Sequence, residues 1–213
     1  MLLIVAFTSF LGNVAFAQKQ GQELIDSLLA ELPKAKEDTN KVNLLNALSY
    51  SLQYSNTEKG FNYSRQGLKL AETLNWQKGI ARSIILMGTH SSITSDYTNS
   101  LEYLFKGLKM TEDLNDKVGI AQALTGLGLV YTDLSQYSNA LEYILKALKL
   151  REELGNKKGI AGCLSNIGVV YYYQKDYPKS FEYYFKALKI NREINNRDWE
   201  AVNLCNIGEA YKA

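Results

Sequence analysis

Between residues 118 and 157 the apolar positions fall into two helical stripes. Ala121, Leu124, Leu127, Gly128 and Tyr131 stand three and four residues apart, the spacing that puts them on one helix face. Leu141, Ile144, Leu145 and Leu148 make a second stripe, and Leu150 and Leu154 carry it further, so the second helix is expected to be the longer one. Both stripes return at one interval of about 40 residues, without an insertion. Gly88, Gly128, Gly168 and Gly208 mark that interval, as do Gly79, Gly119 and Gly159, and Tyr97, Tyr137 and Tyr177. Leu101-Glu102-Tyr103 comes back as Leu141-Glu142-Tyr143 and as Phe181-Glu182-Tyr183. A unit this small cannot bury an apolar face alone, so the units must stack. The pattern predicts an all-α chain, an α-solenoid of stacked antiparallel helix pairs.

Local signals place the helix ends. Asn75, Asn115, Gly155 and Asn195 follow Leu74, Leu114, Leu154 and Ile194, and Asn and Gly tolerate the left-handed conformation that ends a helix. Pro178 falls where a second helix begins, a position at which its missing N–H costs nothing. Glycine inside a helix costs about 1 kcal/mol against alanine. Close approach of the two helices in a unit explains Gly128 and Gly168, with Ala140, Ala147 and Ala187 as the matching small residues. The units run over 38–77 (degenerate, with Leu48 for the glycine and Thr57 for the tyrosine), 78–117, 118–157 and 158–197. Residues 198–213 carry the first helix of a fifth, incomplete unit. Ahead of the units, residues 18–37 hold Leu24, Ile25, Leu28, Leu29 and Leu32, an amphipathic helix expected to cap the stack.

At this point the residues resemble the tetratricopeptide repeat family. Leu124, Leu127, Gly128, Tyr131, Tyr137, Ala140, Ile144 and Ala147 follow that family's pattern in order. Leu164, Ile167, Gly168, Tyr171, Tyr177, Ser180, Tyr184 and Ala187 follow it again. The proline that closes many such repeats is absent, with Glu112, Glu152 and Arg192 in its place, which suits the longer-repeat branch seen in bacterial regulators and kinesin light chains. The resemblance implies a right-handed superhelix whose first helices line a concave face that binds peptides or extended protein segments. It places Arg82, Thr89, Ser92, Gln122, Leu129, Thr132, Asp133, Val169, Tyr172 and Tyr173 on that face. Tyr172 and Tyr173 attract notice because tyrosine offers a large contact area at little entropic cost. Family members that clamp a terminal carboxylate use lysine and asparagine at groove positions held here by Thr125, Ser165, Leu129 and Val169, so a chaperone tail is not the expected ligand.

Composition adds mainly exclusions. Basic and acidic residues number 24 and 22, a formal charge of +2, which asks for no nucleic acid. A single histidine, His90, and two cysteines, Cys163 and Cys205, are poor material for metal or histidine-based chemistry, and nothing calls for a cofactor. The two cysteines lie two positions out of register in neighbouring units, about 200° apart around a helix, and read as buried free thiols. Lys69, Lys109, Lys149 and Lys189 form a ladder beside Lys106, Lys146 and Lys186. Glu102, Glu142 and Glu182 precede the second set by four residues, the order that favours ion pairs on a solvated face. Tyr103, Tyr143 and Tyr183 read as partly buried packing rather than a base-stacking platform. No hydrolase, nucleotide-binding or metalloprotease motif occurs, and the chain is not expected to be an enzyme.

The N-terminus differs from the rest. Residues 1–17 carry no charged side chain, Leu2 to Leu11 is almost wholly apolar, and Ala15-Phe16-Ala17 suits signal peptidase. The n-region lacks its usual lysine or arginine. The expectation is a signal peptide cleaved after Ala17 and an exported protein–protein interaction scaffold, the sensory repeat region of a larger bacterial signalling protein whose output would be a histidine kinase, cyclase or DNA-binding domain. Any membrane segment would lie outside these 213 residues. The alternatives are a cytoplasmic peptide-responsive regulator and the docking module of an enzyme whose catalytic domain lies beyond residue 213.

Overall fold

The computed structural model describes residues 21–213, and all their regular structure is helical. The signal sequence expected over 1–17 and the start of the 18–37 segment lie outside the described residues. Helix α1 covers residues 21–31 and leads into a 3-10 turn, Leu32–Lys34. Then follow α2 (Thr39–Ser51), α3 (Thr57–Thr73), α4 (Gln77–Ile93), α5 (Tyr97–Asp113), α6 (Lys117–Asp133), α7 (Tyr137–Glu153), α8 (Lys157–Tyr173), α9 (Tyr177–Glu193) and α10 (Arg197–Lys212). First and second helices have the same length, 17 residues in both α6 and α7, so the second is not the longer one. The last turn of α6, with Thr132 and Asp133, is polar and hides its own length from a reading of apolar stripes.

From α3 to α10 each link consists of three residues, and the middle one is always left-handed. Asn75, Asn115, Gly155 and Asn195 do this after the second helices, as their side chains predict. Ser95, Ser135 and Lys175 do it after the first helices, where nothing in the residue type announces it. Each link is closed by the same pair of backbone bonds. After α7, for example, Asn156 N–H donates to Arg151 C=O at 2.9 Å and Gly155 N–H to Glu152 C=O at 3.0 Å.

Each helix packs on the next, and α2, α4, α6, α8 and α10 also touch in succession, whereas no such contact joins the second helices. The layer of first helices is therefore the tighter one, and the stack bends toward it. Leu124, Ile144, Cys163, Ile167 and Val170 form one buried core, and Ile85, Leu104, Leu127 and Val130 another. The glycines do mark close approach, but a bulky residue faces them. A Cβ on Gly168 would lie 2.6 Å from the Tyr184 ring, and one on Gly88 would lie 2.8 Å from Leu104. At Gly128 the obstacle is Ile144. Ala140, Ala147 and Ala187 are fully buried on either side of those bulky residues. Nothing lies within 4 Å of a Cβ on Gly208.

Helix α1 buries less than its stripe suggests. Ile25 is buried, whereas Leu24 and Leu29 are 53% and 40% exposed. Both cysteines are free thiols, but only Cys163 is buried; Cys205, on α10, is exposed, a correction to the expected pair of buried thiols. Tyr143 stacks on Tyr131 at 5.3 Å and Tyr183 on Tyr171 at 5.5 Å, so these rings pack the helix pairs. Lys146 and Lys186 pair with Glu142 and Glu182, each at 2.6 Å on an exposed face. No described helix is long and apolar enough to cross a membrane.

Candidate functional site

The first helices α2, α4, α6, α8 and α10 together line one groove of about 550 Å³. Its walls mix three kinds of side chain. Asn43, Asn46, Gln53, Gln122, Asn156 and Asn166 contribute amides, each a donor and an acceptor, although the oxygens of Asn46 and Asn156 already accept from Ser83 Oγ and Gly159 N–H. Tyr50 and Tyr54 at one end and Trp199 at the other present aromatic surface. Arg82, Arg151 and Lys158 supply positive charge, and no aspartate or glutamate is among the lining residues.

The expected site residues divide. Arg82, Thr89, Gln122 and Leu129 line the groove. The other six do not. Ser92 and Thr132 are buried, and the Thr132 hydroxyl donates to Gly128 C=O of its own helix at 2.8 Å. Val169 and Tyr172 pack against Tyr184, Leu188, Ile207 and Ala210 in the last core. Tyr173 is 54% exposed and meets Tyr172 edge-on. Asp133 ends α6 outside the groove, its carboxyl raised by burial against the pull of a hydrogen bond from Ser92. In α4, α6 and α8 the groove reaches as far as Thr89, Leu129 and Asn166, short of the helix end, whereas at α2 it runs on to Tyr50, Gln53 and Tyr54.

Arg151 is the residue that repeat-based reasoning misses, because it belongs to α7 in the other layer. Its guanidinium passes between α6 and α8 and donates through Nη2 to Thr125 Oγ1 at 3.4 Å. Nη1 rests where a Cβ on Gly159 would stand, so the glycine makes the passage possible. Burial pushes the neighbouring Cys163 thiol up, against the opposing pull of Arg151. The equivalent positions hold Ala71, Thr111 and Asn191, all buried, so the break in register was visible in the sequence as an anomaly without a meaning. Trp199 is a similar break, standing where Gly79, Gly119 and Gly159 stand in earlier units.

Arg82 gives one nitrogen, Nη2, to Asp116 at 3.3 Å, and Lys78 reaches the same buried carboxylate at 3.5 Å. One carboxylate thus serves two cations. The Nε atoms of Arg82 and Arg151 and the amide nitrogen of Asn46 are buried without a hydrogen-bond partner. Among the described residues no three histidine, cysteine, aspartate or glutamate side chains gather as a metal site. The lining offers hydrogen-bond donors and acceptors, aromatic surface and positive charge, and no histidine, aspartate or glutamate is among its residues.

Family models described as tetratricopeptide repeat match residues 121–154 and 161–194. These two segments are tetratricopeptide repeats. No curated protein matches its sequence. Among solved structures it resembles BtubC (BKLC) from P. vanneervenii, with 19% identity and a TM-score of 0.65 over 95% of this chain and 83% of that one. It also resembles a Rap protein complexed with competence and sporulation factor, with 17% identity and a TM-score of 0.76 over 92% of this chain and 60% of that one. A third is the Rap conjugation gene regulator of the plasmid pLS20 in complex with the Phr* peptide, with 14% identity and a TM-score of 0.71. That alignment covers 93% of this chain and 53% of the regulator, so the chain spans little more than half the length of either Rap protein. At these identities the likeness is one of fold.

Proposed function

We propose that this protein is a non-catalytic scaffold that holds an extended peptide segment of a protein partner in the groove of its first helices. One observation carries the reading: a single groove of about 550 Å³ crosses five successive first helices and is lined by amides and aromatics. An extended peptide offers an N–H and a C=O at every residue, and a row of amide side chains can match both without reading sequence. The aromatic ends supply apolar contact area at low entropic cost. The relative crystallised with the Phr* peptide supports the reading by likeness of fold. A random dodecapeptide library displayed on phage and selected against the full chain tests it. Selected peptides are expected to bind at least tenfold more weakly to Gln122→Trp, which fills the groove from an exposed position while helix content by circular dichroism is kept. Failure to select any peptide, or peptides indifferent to Gln122→Trp, would overturn it.

The same reading places the protein outside the cytoplasm as the sensory repeat region of a signalling protein, supported by the apolar stretch and Ala15-Phe16-Ala17 at the N-terminus. N-terminal sequencing of the native protein is expected to begin at Gln18. An intact Met1 in the cytosol would refute export.

A further inference from the structure

The charge of the groove narrows its ligand, and this step rests on the peptide reading above. The whole chain is nearly balanced, with 24 basic and 22 acidic residues, yet three cations and no carboxylate line the groove. The positive sign is therefore local, not a consequence of composition. Arg151 shows it best. A guanidinium occupies a position at which the other units bury an alanine, a threonine or an asparagine, and its path crosses the space that a side chain at residue 159 would take. There it makes a single long hydrogen bond to Thr125, and its Nε has no partner. A buried donor left unsatisfied is costly, and the planar fork of arginine matches a carboxylate through two parallel N–H bonds. Arg82 differs in that Asp116 takes its Nη2, but its Nε too is unpartnered.

We propose that the groove recognises an acidic stretch of a partner protein, whose side-chain carboxylates are held by Arg82 and Arg151. Side chains fit better than a single terminal carboxylate because the cations stand at separate places along the groove: Arg82 on α4, Arg151 between α6 and α8, and Lys158 on α8. Packed helices lie roughly 8–10 Å apart and an extended chain rises about 3.3 Å per residue. Arg82 and Arg151 are thus about one and a half helix spacings apart, so the acidic residues that meet them stand about four positions apart in the ligand.

Sequencing the dodecapeptides selected on the full chain tests the proposal. Peptides that depend on the groove, as judged by Gln122→Trp, are expected to be enriched in aspartate and glutamate. A representative, labelled with fluorescein and read by anisotropy, is expected to lose at least tenfold in affinity when its acidic residues are changed to amides. The same loss is expected with Arg151→Gln and with Arg82→Gln. Lys158→Gln, at an exposed position, weakens binding by a smaller factor and serves if either arginine variant fails to fold. Amidating the C-terminus of the peptide leaves affinity unchanged. Groove-dependent peptides that are neutral or basic would overturn the proposal and leave the peptide reading standing. Loss on C-terminal amidation alone would assign the anion to a chain end and overturn it too. Absence of any groove-dependent peptide would remove both readings.

Discussion

Size complementarity at single positions keeps each helix pair together. Gly88, Gly128 and Gly168 each receive a bulky residue sixteen positions later, Leu104, Ile144 and Tyr184. The degenerate first unit reverses the assignment: Leu48 stands at the glycine position and Ser64 at the bulky one, and both are fully buried. Total volume is conserved while its distribution flips, which cores tolerate well. Gly168→Leu breaks the rule from one side, since the Tyr184 ring has no room to retreat. It is expected to lower stability to urea by about 3 kcal/mol, at the severe end of overpacking. Gly162→Ala is the contrast within the same helix. Nothing lies within 4 Å of a Cβ there, so the gain in helix propensity is expected to raise stability by about 0.5–1 kcal/mol. Equal melting of the two variants would show that the glycine at 168 plays no packing role.

At the level of helices, His90 ties three elements together. It stands in α4 at the position that Val130, Val170 and Ala210 hold in later units, buried to 1% exposure. Its Nε2 and the Ser49 Oγ of α2 share a hydrogen bond of 2.9 Å, and Phe61 of α3 meets its ring edge-on. Gly60 of α3 leaves space for the imidazole. Burial lowers the pKa from 6.5 to about 4, against a hydrogen bond donated by the ring to the Ser49 backbone carbonyl, which raises it. Between those values the unfolded chain takes up a proton that the folded one refuses. The contribution of His90 is therefore intact above pH 6.5 and is lost as the pH falls toward 4, a total of about 3 kcal/mol. Because the chain has one histidine, its imidazole proton resonance is unambiguous and is expected to titrate near pH 4. A midpoint near 6.5 would show that α2, α3 and α4 do not enclose it.

Across the whole molecule, periodicity decided what could be read in advance. A stack of helix pairs follows from any feature that recurs, so Gly128, Tyr137 and Asn115 announced the architecture. The groove depends on what does not recur. Arg151 and Trp199 depart from their registers, and a departure says nothing of direction until neighbouring helices are in place. The likeness to known repeats pointed to the first helices, and Arg82, Thr89, Gln122 and Leu129 do line the groove. It gave no rotation, so Ser92, Thr132 and Tyr172 fell on a turn that faces the stack. The left-handed Ser95, Ser135 and Lys175 were silent because serine and lysine have no special liking for that conformation. Those links have a mechanical meaning. Seven joints of one design, each closed by the same two backbone bonds, are joined in series. Compliances in series add, so a load on the two ends is shared among all of them and the coil gives evenly along its length. A thicker ligand can then be admitted by a small widening at every joint, with no single hinge that has to open.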